Sequence, residues 1–516
     1  MENQGISKQM IFIAITVSLG GFLFGFDAGI ISGVMNFATP YLELTDDEVS
    51  RIVSAPTLAA MFTMLVAGRL SDYLGRRILL KIVAFLYAVS AIWSAYAGSY
   101  ETLYYARVLG GLAFGSALVI APSYIAEIAS AEKRGTLVSV QQLNIVLGFF
   151  AAFLCNYYLN ELNNKGAYGL TDENVWRWML GIEFAPAVLY LLLLFFVPRS
   201  PRWLMLKGQE DEAKDVLDQL HGPPVSEQEF AAIQENIQRD QEQTSTSFVE
   251  LFSPALSYIL WVGIAVGILQ QITGINAVYF YATSIFKQLG IGTDAAFASG
   301  VWLSLTSVVF TVVAMITIDR FGRRPLLLFG IGGIALSMLL CFWGFKNATY
   351  TLELGDLLTI EGVEVVETGD HFGKTFDNDV DFKNAMKSAF GDNQYNKYEG
   401  EILEKATTIN GTIVMVGILV FVACFAFSLG PVMWVMLSEL YPNRYRGLAI
   451  GFIGFINGFA SWLVARVFPW ELANLGNATT FLIYGLIAAF GFLLFLKILP
   501  ETRGKSLEEI EAEFVK

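Results

Sequence analysis

Apolar residues run through this chain in long stretches rather than in the alternating or three-to-four-residue stripes of a soluble domain. A helix that crosses a bilayer needs about 20 mainly apolar residues. Twelve stretches suggest such crossings: 10–36, 52–68, 82–100, 107–129, 135–160, 178–198, 251–286, 295–318, 325–345, 406–438, 447–469 and 472–496. Single charges interrupt four of them, at Asp27, Glu127, Glu183 and Arg466. The runs 251–286 and 406–438 exceed one crossing, so each is expected to include flanking loop. The first run is too long for a cleaved leader and carries Asp27, so it is expected to remain as a span.

Composition agrees with lipid as the solvent of the outer face. Of 516 residues, 55% are hydrophobic and 16% charged, against about a quarter charged in a soluble domain. A soluble enzyme of ordinary surface and a disordered chain are excluded, and the net charge of −14 gives no footing for nucleic acid. Cys155, Cys341 and Cys424 lie in apolar runs and His221 and His371 in polar ones, so no metal, cofactor or histidine-based catalysis is expected.

Lysine and arginine set the orientation. The connections after spans 2, 4, 8 and 10 carry most of them, including Arg69, Arg76, Arg77, Arg134, Arg323, Arg324 and Arg446. Those after spans 1, 3, 5, 7 and 11 hold only Arg51, Lys165, Arg177 and Lys287. The first group, with both termini, is expected in the cytoplasm. Two polar segments are long. Residues 199–250 join spans 6 and 7, with helical spacing from Gln209 to Leu220. Residues 346–405 join spans 9 and 10 on the outer side, with 13 Asp or Glu against 6 Lys. The piece from Tyr350 to Val366 alternates in places like a β-hairpin.

The halves share punctuation. Asp72, Gly75, Arg76 and Arg77 recur as Asp319, Gly322, Arg323 and Arg324; Glu127 and Arg134 recur as Glu439 and Arg446. Parallel duplication of a six-span unit fits a two-bundle secondary transporter. The carboxylates and guanidinium groups sit where they can bridge neighbouring helices at the inner face. A plain positive anchor needs no such matched carboxylates. The expected fold is an all-α membrane protein of twelve transmembrane helices in two six-helix bundles. The bundles are expected at 1–198 and 251–500, joined by a cytoplasmic linker at 199–250 and followed by a tail at 501–516.

Six pieces in order resemble the sugar porters of the major facilitator superfamily, and the resemblance covers nearly the whole chain. They are Gly68 to Arg77, Pro122 to Gly135, Pro198 to Trp203, Gln270 to Asn276, Gly430 to Glu439, and Pro500 to Gly504. The nearest likeness is to bacterial xylose–proton symporters, with facilitative glucose carriers further off.

A sugar ring presents hydroxyls that both donate and accept, and side-chain amides answer them. An aromatic face suits the ring's C–H side. Gln142, Gln270, Gln271, Asn276, Trp434 and Asn457 supply that set, and the resemblance places the family's sugar contacts at these positions. Gly274 is expected to loosen the helix so that Gln271 and Asn276 both point inward. Where the family often has two gating tyrosines, this chain has Phe280 and Tyr281. Ser307 and Ser461 stand at positions where asparagine is common, and Arg199 where glutamate is usual, which is expected to weaken one cytoplasmic bridge.

An isolated carboxylate within a bilayer costs a few kcal/mol on insertion scales, about 3. Asp27 is therefore expected to pair with Arg107 of span 4, a neighbour in this fold. Burial raises a carboxylate's pKa and a guanidinium lowers it, so a pair that loosens would take up and release a proton. In the family's proton symporters this position is likewise Asp, and in its facilitative members Asn. By the same resemblance Glu183 is a second carboxylate of the coupling site. Arg466 is expected to reach the outer surface and has no assigned role.

The expected function is proton-coupled symport of a monosaccharide by alternating access, in a monomer, without enzymatic activity. The alternatives are a uniporter of the same fold and a membrane sugar sensor. The short polar tail to Lys516 speaks against the sensor, and the lack of a Walker motif against an ATP-driven pump. Short termini suggest a bacterial inner membrane.

Overall fold

The computed structural model describes residues 8–129, 134–223, 225–242, 248–357, 360 and 371–503. Twelve helical crossings account for most of them. The first four spans are single helices, Lys8–Tyr41, Asp46–Leu74, Arg76–Ala95 and Tyr100–Ile128, and span 5 is Arg134–Asn164. Span 6 is built from Val175–Gly181 and Phe184–Leu193. Pro186 lacks the N–H that would bond the Ile182 carbonyl, which breaks the helix beside Glu183. The span ends before the sequence reading placed it, and Arg77 takes the freed carbonyls of Leu194 and Phe195 at 3.3 and 2.6 Å.

Span 7 is divided. Pro254–Ile272 is followed by Ile275–Phe280 and Ala282–Lys287. Gly274, at φ +95°, makes the first break, in a conformation that costs glycine little. Spans 8 and 9 are Gly292–Phe321 and Arg323–Lys346. Span 10 comprises Gly411–Phe427 and Leu429–Leu440, and Pro431 withholds the bond to the Phe427 carbonyl at the break. The last two spans share one helical stretch, Asn443–Ile498, turned at Gly476, where φ is +78°.

Each half closes on itself. Span 1 lies so near span 5 that a Cβ on Gly25 would come within 2.0 Å of the Ile145 carbonyl oxygen, and one on Gly148 within 2.1 Å of that of Phe22. Spans 9 and 12 pack together in the second half, where a Cβ on Gly491 would meet the Ile331 side chain at 2.6 Å. The halves meet along spans 2 and 11 and along spans 5 and 8. Gly75 and Gly322, at φ +91° and +89°, make the equivalent tight turns between spans 2 and 3 and between spans 8 and 9. The linker holds helices Pro201–Leu206, Glu210–His221 and Val225–Glu242. The apolar face expected there, Ala213, Val216, Leu217 and Leu220, is buried.

The insert is not the local hairpin that alternation suggested. Thr349 and Tyr350 pair antiparallel with Thr408 and Thr407, and Tyr350 also bridges Phe376. Residues 358, 359 and 361–366 of the expected hairpin lie outside the described residues. Two helices, Asp379–Phe390 and Asp392–Ala406, fill the insert. Alternation near Tyr350 arises because its ring is buried and packs on Phe382, with centroids 5.5 Å apart. Apart from this two-residue pairing, the described regular structure is helical.

Candidate functional site

The breaks in spans 7 and 10 expose polar backbone inside the second half, and side-chain amides meet it. Gln270 Nε2 donates to the Leu429 carbonyl at 2.9 Å, just past the break in span 10. Asn457 Nδ2 donates to the Gly267 carbonyl at 2.8 Å and to Gln270 Oε1 at 2.7 Å. Gln271 Nε2 donates to Asn457 Oδ1 at 3.2 Å. Asn276 Nδ2 donates to Gln271 Oε1 at 2.9 Å and to Ser461 Oγ at 2.6 Å. Gln270, Gln271, Asn276 and Asn457 thus form one network. The turn at Gly274 lets Gln271 and Asn276, five positions apart, meet as expected. Ser461 joins that network rather than merely shortening the polar reach of span 11.

Trp434 stands on span 10 with 39% of its surface exposed, its ring turned toward Gly454. Gln142 is half-buried on span 5, in the other half, and no hydrogen bond links it to the amide network among the described residues. Tyr281 is buried and donates to the Ala465 carbonyl at 3.0 Å, so it ties span 7 to span 11. Tyr279, which the sequence did not single out, packs on Phe149 of the first half with ring centroids 4.4 Å apart. Its hydroxyl lies beside Ser307.

The second cluster lies in the first half. Asp27, Arg107 and Glu183 are 4%, 2% and 3% exposed. Arg107 Nη1 bonds Asp27 Oδ1, and the Glu183 carboxyl is within hydrogen-bonding reach of Asp27. Arg107 Nε finds no partner among the described residues. A small cleft here is lined by Asp27, Arg107, Phe24, Phe114 and, from the second half, Phe280. Phe280 thus brings the amide-bearing span 7 to the cleft of the ion pair.

The arginine-rich end repeats one design twice. Arg76 meets Glu127 at 2.9 Å, and Arg323 meets Glu439 at 2.7 Å. Ser200 donates to Glu127 at 2.5 Å and Thr502 to Glu439 at 2.6 Å. Ser200 and Thr502 went unnoticed in the sequence, although Pro-Arg-Ser at 198–200 and Pro-Glu-Thr at 500–502 are a readable repeat. Asp72 pairs with Arg76 at 2.6 Å, but its side chain is 62% exposed, so the pair adds little. Arg324 Nη2 donates to the Leu496 carbonyl at 2.9 Å, matching Arg77 in the first half. Arg446 donates to the Tyr441 carbonyl at 3.2 Å. The side chains of Arg134 and Asp319 lie outside the described residues.

At this end the halves differ in how spans 3 and 9 are capped. Glu501 accepts the backbone N–H of Arg323 at 3.0 Å and of Arg324 at 3.2 Å, which caps span 9. Its counterpart by position is Arg199, which turns to Glu212 at 3.4 Å. Arg466, left without a role by the sequence, now has partners. It reaches across to the first half, where it bonds Asp47 and Ser50. Beside it, Ser32 Oγ accepts from Thr283 N at 3.0 Å, and Asn160 and Asn164 each donate to Asp294 at 2.7 Å. These bonds join the two halves at the end that carries the insert.

The Sugar (and other) transporter family model matches residues 13–356 and 399–514, so it passes over 357–398 within the insert. The arabinose–proton symporter of Bacillus subtilis is 31% identical over 507 residues, covering 98% of this chain and 95% of that protein. The D-xylose–proton symporter of Escherichia coli is 29% identical, covering 99% and 97%. Among solved structures, the xylose symporter XylE bound to 6-bromo-6-deoxy-D-glucose superposes with a TM-score of 0.74. It is 28% identical, with 99% of this chain and 100% of that one covered. An inward-open form of XylE from E. coli gives a TM-score of 0.74 at 27% identity, with 98% and 100% covered.

Proposed function

This chain belongs to the sugar transporter family and has its twelve-helix major facilitator fold, and from that premise we propose that it moves a monosaccharide together with a proton by alternating access. The sugar is a pentose or hexose, as the names of the arabinose and xylose symporters among its relatives suggest. The protein acts as a monomer and does no covalent chemistry on its cargo. The arginine-rich end and both termini face the cytoplasm of a bacterial cell, and the insert faces outward. The bundles are 1–198 and 251–500, with 199–250 as the cytoplasmic linker and 501–516 as the tail.

The roles follow from the chemistry. Gln270, Gln271, Asn276 and Asn457 present amides to the sugar hydroxyls, Trp434 covers the apolar face of the ring, and Gln142 closes from the first half. Phe280 and Tyr281 gate the outer side. The ion pairs Arg76–Glu127 and Arg323–Glu439, with the carbonyl bonds of Arg77 and Arg324, hold the inner ends of each half as rigid units.

The observation that carries proton coupling is the buried set of Asp27, Arg107 and Glu183, of which Asp27 and Arg107 line a cleft with Phe280. Arg107 and Asp27 hold one another as a buried ion pair. When a change in span 7 shifts Phe280 and the pair loosens, the desolvated carboxylate takes a proton. Release on the other side returns the pair. One charge moved through about 100 mV is worth about 2.3 kcal/mol, enough for accumulation on the order of 50-fold.

The test is uptake by the full chain in proteoliposomes under an imposed proton gradient, with labelled xylose, arabinose and glucose in competition. Native protein concentrates its sugar, and Asp27→Asn exchanges sugar across the membrane without concentrating it. Concentrative uptake by Asp27→Asn would refute the coupling assignment. Strictly downhill movement by the native protein would make it a uniporter.

A further inference from the structure

The sequence left two features without a role, Arg466 and the acidic insert. The structure places both at the outer mouth, against successive aspartates at the start of span 2. Arg466 bonds Asp47 and the buried Ser50. Lys387 of the insert lies 3.8 Å from Asp46. Both cations belong to the second half and both aspartates to the first.

The insert is anchored on the second half. Asp379, 4% exposed, accepts the Asn477 side-chain amide at 2.8 Å and its backbone N–H at 3.2 Å, at the turn between spans 11 and 12. Glu399 accepts from Gln288 at 3.2 Å. Tyr350, Phe382, Phe390 and Tyr395 give the insert an apolar core of its own. Its helix Asp392–Ala406 also packs against span 1 of the first half and span 8 of the second. The insert is therefore a body fixed to one half and resting on the other.

The geometry points to an electrostatic strap across the outer mouth, in which Arg466 and the insert's Lys387 hold Asp47 and Asp46 and bias the transporter toward its outward-closed state. This inference rests on the alternating-access reading. Outward opening separates spans 1 and 2 from spans 8 and 11, and so breaks both bridges and lifts the insert helix from span 1. Arg51, one turn beyond Asp47 and 2.8 Å from it, stays with the carboxylate when Arg466 leaves. Asp47 then keeps a partner in either state, so the strap releases without leaving a bare charge. The strap's bridges are partly exposed and individually weak, which suits a bias rather than a lock.

The experiment is a distance measurement between spin labels at Tyr41→Cys and Ala473→Cys, both exposed at the outer end. The labels are placed in the full chain with Cys155, Cys341 and Cys424 changed to alanine and the protein reconstituted without sugar or gradient. The double variant Arg466→Gln with Lys387→Gln should raise the ratio of open to closed outer distances by about fivefold or more. Asp47→Asn, which removes the same bridge from its exposed side, should widen the distribution in the same direction if Arg466→Gln does not fold. A folded double variant whose outer distances match the native ones would overturn the strap. This readout involves no transport, so a failure of proton coupling leaves it intact.

Discussion

Asn457 of span 11 holds Gln270 of span 7 at 2.7 Å, and its other amide bonds run to the Gly267 carbonyl and to Gln271. Both of its amide protons and its oxygen are engaged within the protein. Asn457 therefore sets the directions in which the two glutamines present themselves. Asn457→Ala should weaken sugar affinity about 10- to 100-fold, or about 1.4 to 2.8 kcal/mol. Combined with Gln271→Ala, the loss should be well short of additive, since both changes disturb one network. Calorimetric titration of the purified protein checks both.

Arg107 and Asp27 form a buried pair whose members depend on each other. Removing one partner of such a pair typically costs about 3–5 kcal/mol, because a charge is left unpaired. Arg107→Ala should lower the melting temperature in detergent markedly. Adding Asp27→Asn should restore part of that loss, since a neutral amide needs no cation. A double variant no more stable than Arg107→Ala alone would mean that the pair's charge is not what the fold requires.

The contact between spans 1 and 5 tolerates no side chain at Gly25. A Cβ there would sit 2.0 Å from a carbonyl oxygen, and the helices would have to part. Gly25→Ala should destabilise the protein by about 3 kcal/mol. Gly68, one of the family-like residues of span 2, has nothing within 4 Å of a built Cβ. Gly68→Ala should be neutral or stabilise the helix by up to about 1 kcal/mol. Thermal melting of the two variants side by side separates them.

Glu501 caps span 9, and its counterpart Arg199 leaves span 3 without an equivalent carboxylate. Carboxylates at a helix N-terminus contribute about 0.5–2 kcal/mol. Glu501→Ala should lower the melting temperature by a corresponding amount. Arg199→Glu should raise it, provided the loss of the half-exposed Glu212 contact is as small as such pairs usually are. A fall in stability with Arg199→Glu would show that the asymmetry is held by more than the missing cap.

Much of the site was readable before the fold was known, and the reason differs by residue. Asp27 stood out because a lone carboxylate in an apolar run demands a partner, and Arg107 was a suitable one in the expected fold. The amides of span 7 stood out because Gln270, Gln271 and Asn276 cluster within seven positions around a glycine. Ser461 was read only as a serine where asparagine is common, because a sequence gives a residue's polarity without its direction. Arg466 was expected at the outer surface but was given no role, for the same reason. Nothing along span 11 tells that its guanidinium faces Asp47, more than 400 positions earlier.

The sequence by itself determined the number of crossings, the duplication of the half and the residue types that a sugar and a proton require. These are consequences of lipid as solvent and of local periodicity, and both are written along the chain. Only the tertiary structure decided which hydroxyl completes the amide network, that the insert pairs Tyr350 with Thr407 rather than with a local partner, and that Phe280 lines the cleft of Asp27. Those contacts join residues distant in sequence, and packing rather than propensity selects them.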